Sequence, residues 1–229
     1  MESIIHLSSP LLYILFVHQL NIFTPCPSNK IMLTFRKLHN INLSLLSGAM
    51  LIGITIATYQ ENKFHTLNAL LCKSNNNNIY AKYSTQVFLY SKYLEWLDTL
   101  FVHLSNKPII QLQYTHHMST AILVYLNTVD YISPSVYIYI SQNCLIHIFM
   151  YWYFAYPKGI LYKYRKLITQ GQIVQHVICL TTSLYTYNLE NCTQNTYGNI
   201  ALILLYLMYL VYFVQFYSKT YFIKISKNI

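Results

Sequence analysis

Tyr83 to Leu104 reads YSTQVFLYSKYLEWLDTLFVHL, and this stretch decides the fold. It is long and apolar enough for a membrane-spanning helix, which needs about 20 mostly apolar residues. Yet it carries Lys92, Glu95 and Asp98. A charged side chain at the bilayer centre costs roughly 2.5–3.5 kcal/mol on insertion scales. Only 9% of the chain is charged, so three charges in one span point to chemistry or transport at that depth.

The rest of the chain supports a membrane setting. Of 229 residues, 55% are hydrophobic and 16% aromatic, with only five Gly and six Pro, a composition that fits an integral membrane protein better than a soluble domain. Seven spans follow: Ile4–Phe23, Leu38–Tyr59, Tyr83–Leu104, Ile109–Asn127, Ile132–Tyr156, Leu167–Tyr187 and Tyr197–Tyr217. All are expected to be helices in one all-α, polytopic domain over residues 1–229, because an isolated strand cannot satisfy its backbone in lipid. The runs are too long, and alternate too little, for a β-barrel. Met1 to Ser9 lack a basic n-region, so the first stretch reads as an anchor and not as a cleaved signal. The five cysteines (Cys26, Cys72, Cys144, Cys179, Cys192) show no metal spacing. Cys144 and Cys179 read as packing residues within spans.

The net charge of +9 does not indicate nucleic acid, because the basic residues sit at span ends. Seven spans put one set of loops on one side, with Lys30, Arg36, Lys37, Lys107, Lys158, Lys163, Arg165, Lys166, Lys219, Lys224 and Lys227 and no acidic residue. The other side receives Lys63, Lys73 and Lys82 with Glu2, Glu61, Asp130 and Glu190. The positive-inside rule then orients the C-terminus to the cytosol and the N-terminus outside or to a lumen. The sequon Asn191-Cys192-Thr193 falls on the lumenal side. The sequon at Asn42 lies inside a span and is expected to be silent. Asn75 to Asn78 is a short low-complexity loop.

With this orientation, polar groups from several spans meet at one depth. Asp98-Thr99 lies near the cytosolic end of the third span. His116-His117 lies about two turns into the fourth, roughly 10 Å at about 1.5 Å per residue. Asn143 and His147 fall in the cytosolic half of the fifth, and Thr169, Gln172 and Gln175 in the first turns of the sixth. The lumenal halves are mainly apolar and aromatic. The expected picture is a polar chamber open to the cytosol above a hydrophobic pocket. Residues three or four apart share a helix face. Lys92 can therefore pair with Glu95, Glu95 shares a face with Thr99, Asn143 shares one with His147, and Met150 and Tyr151 continue it. Isolated Gln or Asn in a membrane are better read as interhelical hydrogen bonds worth about 0.6 kcal/mol each. His6, His18, His39 and His65 near interfaces read as structural or incidental, and His103 as interfacial. His176 stays open.

These residues resemble the very-long-chain fatty acid elongase (ELO) family. Lys92 to Thr99, KYLEWLDT, matches K-x-x-E-x-x-D-T. Gln113-Tyr114-Thr115-His116-His117 occupies the H-x-x-H-H position, with Gln113 in place of the first histidine. Asn143 to Phe154, NCLIHIFMYWYF, matches N-x-x-x-H-x-x-M-Y-x-Y-Y with Phe154 at the last tyrosine. Thr169 to Gln175, TQGQIVQ, matches T-x-x-Q-x-x-Q. The resemblance covers at least Leu38 to Tyr217. It implies six helices around a central acyl tunnel. It also implies a 3-oxoacyl-CoA synthase that condenses long-chain acyl-CoA with malonyl-CoA, releasing CO2 and CoA, in the first step of microsomal elongation. Endoplasmic reticulum residence follows from the resemblance alone, since Lys224 and Lys227 make a poor dilysine signal. The spacing from Asp98-Thr99 through Lys107-Pro108 to the histidines looks like that of members acting on saturated and monounsaturated chains.

The resemblance assigns catalysis to His116, His117 and His147 with Lys92, Glu95, Asp98 and Asn143. Imidazole serves as nucleophile or base. On this reading His116 or His147 takes the acyl group, while His117 and Asn143 stabilise oxyanion charge. Glu95 and Asp98 orient an imidazole or accept a proton, and Lys92 balances their charge. Gln113 hydrogen-bonds but cannot act as acid or base. Substrate contacts are expected from Gln113, Thr99, Met150, Tyr151, Tyr153, Thr169, Gln172 and Gln175. Lys158, Lys163, Arg165 and Lys166 are CoA-phosphate candidates, or serve topology and anionic lipid. Tyr185, Tyr187, Tyr206 and Tyr209 are candidates to cap the tunnel. No cofactor and no metal is expected beyond the two CoA substrates. Expected partners are membrane lipid and the reductases and dehydratase of an elongation cycle, with a homodimer as one option and no nucleic acid. Two rivals stand beside this reading: a transporter with Lys92, Glu95 and Asp98 along its path, and a metal-dependent lipid desaturase or hydroxylase. The latter type uses about eight ligands, whereas the inner layer here offers His116, His117, His147 and His176.

Overall fold

The computed structural model describes residues 2–22, 30–61, 63–73, 77–129, 131–189, 192 and 195–222. These form α1 (Glu2–Leu7), α2 (Ser9–Ile22), α3 (Lys30–Gln60), α4 (Leu67–Cys72), α5 (Ile79–Leu94), α6 (Trp96–Leu104), α7 (Gln111–Leu126), α8 (Val136–Ala155), α9 (Arg165–Tyr187) and α10 (Thr196–Tyr221). Two 3-10 turns, Lys63–His65 and Ile160–Tyr164, complete the regular structure among the described residues. The chain is an all-α polytopic membrane protein, as the sequence implies.

Contacts close six helices into a ring: α3 against α8, α8 against α9, α9 against α10, α10 against α7, α7 against α5, and α5 back against α3. Helices α1 and α2 lie outside the ring, against α7. Small residues let the backbones approach. Gly53 of α3, for example, faces Ser84 of α5 with no room for a Cβ.

Two expected spans are not continuous helices. The first breaks at Ser8, whose hydroxyl turns back to the Ile5 carbonyl at 3.2 Å. Pro10, which lacks the N–H a helix interior needs, sits in the first turn of α2, where that loss is harmless. The third breaks at Glu95, where the Asp98 amide reaches back only three residues, to the Glu95 carbonyl at 3.0 Å. This tight turn separates α5 from α6 and aims the acidic side chains into the ring. Among the described residues, only Lys30–Gln60 and Thr196–Tyr221 are long and apolar enough to cross a membrane by length and composition alone. The other expected spans are shorter, broken or richer in polar residues.

One end of the bundle carries Arg36, Lys107 and Arg165, and is called the basic end below. Between α6 and α7, Asn106 takes a positive φ of 53°, a conformation Asn tolerates better than most residues. The turn brings Lys107 to this end. At the opposite end Asn78 caps α5, accepting from the Tyr80 and Ala81 amides, and Asn195 caps α10 by accepting from Gly198. Cys72, at the end of α4, forms a disulfide with Cys192 before α10. The sequence had shown no such pairing. Cys144 and Cys179 are free and buried, as expected of packing residues. Cys26, the sequon residues Asn191 and Thr193, and Lys224 and Lys227 lie outside the described residues.

Candidate functional site

Inside the ring, toward the basic end, lies a cavity of about 710 Å3. Its lining includes Glu95 and Asp98 from the turn and α6, and Gln113, His116 and His117 from α7. Helix α8 contributes Asn143, His147, Met150, Tyr151 and Tyr153, and α9 contributes Arg165, Thr169, Gln172 and Gln175. Four separate sequence motifs therefore converge on one space.

At its heart is a closed circuit. Lys92, buried in α5, donates to Glu95 Oε1 at 2.7 Å and to Asn143 Oδ1 at 3.1 Å. The Asn143 amide nitrogen lies 3.2 Å from His147 Nε2, and His147 Nδ1 faces Glu95 Oε1 at 3.6 Å. An amide nitrogen is only a donor, so Nε2 accepts and the neutral ring carries its proton on Nδ1, toward the carboxylate. Lys92 does not line the cavity; it sits behind Glu95 and balances its charge. Removing either partner from a buried pair leaves an uncompensated charge and costs about 3–5 kcal/mol.

Three buried titratable atoms at the cavity have no hydrogen-bond partner among the described residues: Glu95 Oε2, His116 Nδ1 and His117 Nδ1. A buried polar group left unpaired costs about 1–3 kcal/mol. Retaining three such atoms around one space leaves capacity for a polar guest. The His116 ring stands edge-on to Tyr209 at 5.1 Å and to His117 at 5.5 Å. Both nitrogens of His147 already face partners, whereas the buried Nδ1 of His116 does not. This separates two histidines that the sequence left equivalent.

Asp98 orients an imidazole, but not one of the box histidines. His39 of α3 approaches Asp98 Oδ1 at 2.9 Å, and the Tyr151 hydroxyl donates to Oδ2 at 2.8 Å. The sequence reading took His39 as structural or incidental; the structure puts it on a motif residue. Arg36, His39 and Asn40 share a helix face at spacings of three and four, the polar signal that could have found it. Tyr13 was missed too. This fully buried residue of α2 bonds Thr99 Oγ1 at 2.8 Å, and Gln113 Nε2 approaches the same oxygen at 3.4 Å. Thr99 is therefore a tie inside the wall and does not line the cavity.

The basic candidates divide. Arg165 lines the cavity mouth, as do Arg36 and Lys107, which had not been singled out for this role. Lys158, Lys163 and Lys166 are exposed and outside the lining. They sit in the turns after α8 and at the start of α9, and Lys166 lies over the Tyr217 and Phe222 rings. Gln172 reaches the Met150 sulfur at 3.2 Å, and Thr169 stands 3.5 Å from the Tyr221 hydroxyl. His176, left open by sequence, lines the cavity with Nδ1 2.6 Å from the Gln172 carbonyl and its ring 4.7 Å from Phe213. Of the tyrosines considered as caps, Tyr206 and Tyr209 are buried while Tyr185 and Tyr187 are exposed. Among the described residues no group of three or more His, Cys, Asp or Glu is arranged to hold a metal ion.

The fold and site define a class: a helical membrane protein with a ring of six helices around a charged, histidine-lined chamber. The profile of the GNS1/SUR4 family (ELO) matches residues 3–228. The chain belongs to this family of fatty acid elongases. It is similar to fatty acid elongase A of Dictyostelium discoideum, 32% identical over 75% of this chain and 63% of that protein. It is 29% identical to fatty acid elongase sre1 of the same organism, over 73% of this chain and 64% of that protein. Fatty acid elongase 3 of Trypanosoma brucei brucei is 28% identical over 63% of this chain and 49% of that protein. The chain thus spans less than two thirds of the length of these relatives.

Proposed function

We propose that this chain condenses a long-chain acyl-CoA with malonyl-CoA to give 3-oxoacyl-CoA, CO2 and free CoA. The observation that carries this reading is the unpaired His116 Nδ1 beside the Lys92–Asn143–His147–Glu95 circuit, within one cavity. In the first half-reaction a His116 nitrogen attacks the thioester carbonyl; a C–N bond forms and the C–S bond breaks. The thiolate leaves as CoA thiol with the proton the imidazole gives up. In the second, malonyl-CoA loses CO2, and the electron pair of the broken C–C bond becomes an enolate. The enolate carbon attacks the acyl carbon, the C–N bond breaks, and the imidazole regains a proton. The decarboxylation supplies no proton, so each turnover takes one from solvent.

The other residues serve these steps. His147, its Nδ1–H directed at Glu95, handles protons beside the reacting carbonyl. Asn143 retains a second amide proton for oxyanion charge, together with His117. Asp98, held by His39, fixes Tyr151. Met150, Tyr151, Tyr153, Gln172 and Gln175 contact the thioester region, while Thr99, Gln113 and Thr169 brace the wall. Arg165, with Arg36 and Lys107, suits CoA phosphates at the mouth. The acyl tail gains about 0.8 kcal/mol per buried CH2. No metal or other cofactor is needed by these steps.

We further propose the endoplasmic reticulum membrane as its location, with the C-terminus and basic end cytosolic. Two independent features support this orientation. Basic residues gather at one end, and the disulfide lies at the other, where an oxidising lumen preserves it. The product's 3-oxo group requires a reductase and a dehydratase as downstream partners. The reading is tested by incubating membranes bearing the protein with labelled malonyl-CoA and a panel of acyl-CoAs. Labelled 3-oxoacyl-CoA is expected. Its absence for every acyl length, beside an active control, contradicts the reading and reopens transport; iron with stoichiometric O2 consumption would favour the desaturase class.

A further inference from the structure

A second cavity, of about 380 Å3, lies outside the ring at the basic end. It is lined by Val17 of α2, His103 of α6, Lys107 in the turn that follows, and Gln111 and Tyr114 of α7. Gln111 and Tyr114 are three apart and share one face of α7. Gln113, His116 and His117 line the histidine-bearing cavity from the other side of the same helix. Lys107 lines both spaces.

The smaller cavity suits a negative charge. Among the described residues no acidic side chain lines it. Lys107 supplies a cation and Gln111 an amide donor. The turn that carries Lys107 is tied down: the Asn106 amide donates to the His103 carbonyl at 3.0 Å, and the Lys107 amide to the Val102 carbonyl at 3.2 Å. Ile110 caps α7 without a side-chain bond, so the first amides of that helix add partial positive charge beside the lysine. The positive-inside rule accounts for a lysine at this end. It does not account for a cavity beside it.

The surroundings select the kind of anion. Helix α2 lies on the outside of the bundle, and Val17 is where it meets the cavity. Ile14 stands one turn from Val17, away from the basic end, and Leu11 one turn further. They are 38% and 65% exposed. At about 1.5 Å per residue, this apolar row runs roughly 9 Å from the cavity along the outer surface. A soluble phosphate has no use for such a row. A phospholipid puts its headgroup phosphate beside Lys107 and lays the start of a tail along α2.

We propose that this outer cavity binds the phosphate of an anionic membrane phospholipid, at a site separate from the chamber inside the ring. The proposal does not depend on the condensation reading. Native mass spectrometry of the detergent-purified full chain, with phosphatidic acid and phosphatidylcholine added in equal amounts, reads the ratio of the two lipids retained. The wild type is expected to keep one phosphatidic acid per chain in preference to phosphatidylcholine. Lys107→Gln removes the charge and should lower that preference roughly fivefold, the worth of one basic residue beside anionic lipid. Gln111→Trp keeps the charge but fills the cavity, and should lower the preference at least as much. Lys158→Gln removes a lysine from the same end that lines neither cavity, and should leave the preference unchanged. All three positions are exposed, so each variant is expected to fold, and thermal melts check this. The proposal is overturned by the absence of a preference in the wild type, or by a wild-type ratio in either cavity variant. An equal loss in Lys158→Gln also overturns it, because the attraction would then be to the basic end as a whole. A last arm adds inorganic phosphate at the concentration of the lipid. Retention of phosphatidic acid supports the lipid; its displacement assigns the cavity to free phosphate and overturns the proposal.

Discussion

The two ends of the bundle treat buried charge in opposite ways. At the opposite end Lys63 is as buried as Lys92, yet it is enclosed. It lies 3.8 Å from Glu61, its ammonium sits 4.2 Å over the Tyr137 ring, and it donates to the Lys73 carbonyl. Tyr137 in turn donates to Glu61 at 2.5 Å, and the Cys72–Cys192 disulfide ties the neighbouring loops. At the basic end Lys92 is equally well paired, but the circuit it anchors opens on a cavity. Among the described residues, the buried titratable atoms without a partner all lie there, on Glu95, His116 and His117. One end spends its charged groups on holding the structure; the other keeps some titratable atoms for a guest. Buried charge alone therefore does not mark a site. Unpaired capacity around a cavity does.

The sharpest way to break this contrast is at His116. His116→Ala should lower condensation by roughly 10²–10⁴-fold or more, measured as labelled 3-oxoacyl-CoA, with an unchanged thermal melt. Next comes the circuit. Lys92→Met strands Glu95 and should cost about 3–5 kcal/mol of stability. Adding Glu95→Gln should recover much of the melting temperature and none of the activity, because the charge is gone but His147 has lost its carboxylate. The opposite end should behave the other way. Cys72→Ser should cost about 2–4 kcal/mol of stability while turnover at permissive temperature is retained.

Smaller effects refine the picture. His39→Ala removes a bond to a carboxylate and should lower kcat about tenfold, an effect of about 1.4 kcal/mol. KM should move little, and His39→Gln should recover part of the loss. The smallest effect concerns Lys63, whose pKa burial pushes down to about 8 from 10.5, against the opposing pull of Glu61. Between these values the unfolded chain binds more protons than the folded one, so this group's contribution to stability rises with pH from about 8 toward 10.5. Thermal melts of wild type and Lys63→Met across that range should diverge in slope; parallel curves would mean Lys63 titrates normally.

Much of this was legible in the sequence because it is written at helical spacing. Lys92 with Glu95, and Asn143 with His147, pair within a single helix, so the i, i+3 and i, i+4 rule finds both. Sorting basic residues by loop placed four motifs at one depth before any coordinates. Contacts between distant helices were not legible. His39 meets Asp98 and Tyr13 meets Thr99 only because α3 and α2 pack where they do, and no local pattern records that. The break at Glu95 was hidden because no Gly or Pro marks it between Tyr83 and Leu104. Lys158, Lys163, Arg165 and Lys166 were alike in the sequence, candidates for CoA phosphate or for topology and anionic lipid; that Arg165 lines the cavity and the three lysines do not is a matter of placement that charge alone does not record. The disulfide joins residues 120 apart in sequence, and spacing alone does not select one pair among five cysteines.

The central claim is that the unpaired histidine beside the charged circuit carries out condensation. It is tested most directly by giving wild type and His116→Ala, purified side by side, labelled malonyl-CoA and a range of acyl-CoAs. The account predicts labelled 3-oxoacyl-CoA and CO2 from the wild type and almost none from the variant, both proteins melting alike. Full activity in His116→Ala, or no product from the wild type at any acyl length beside an active control, would contradict it.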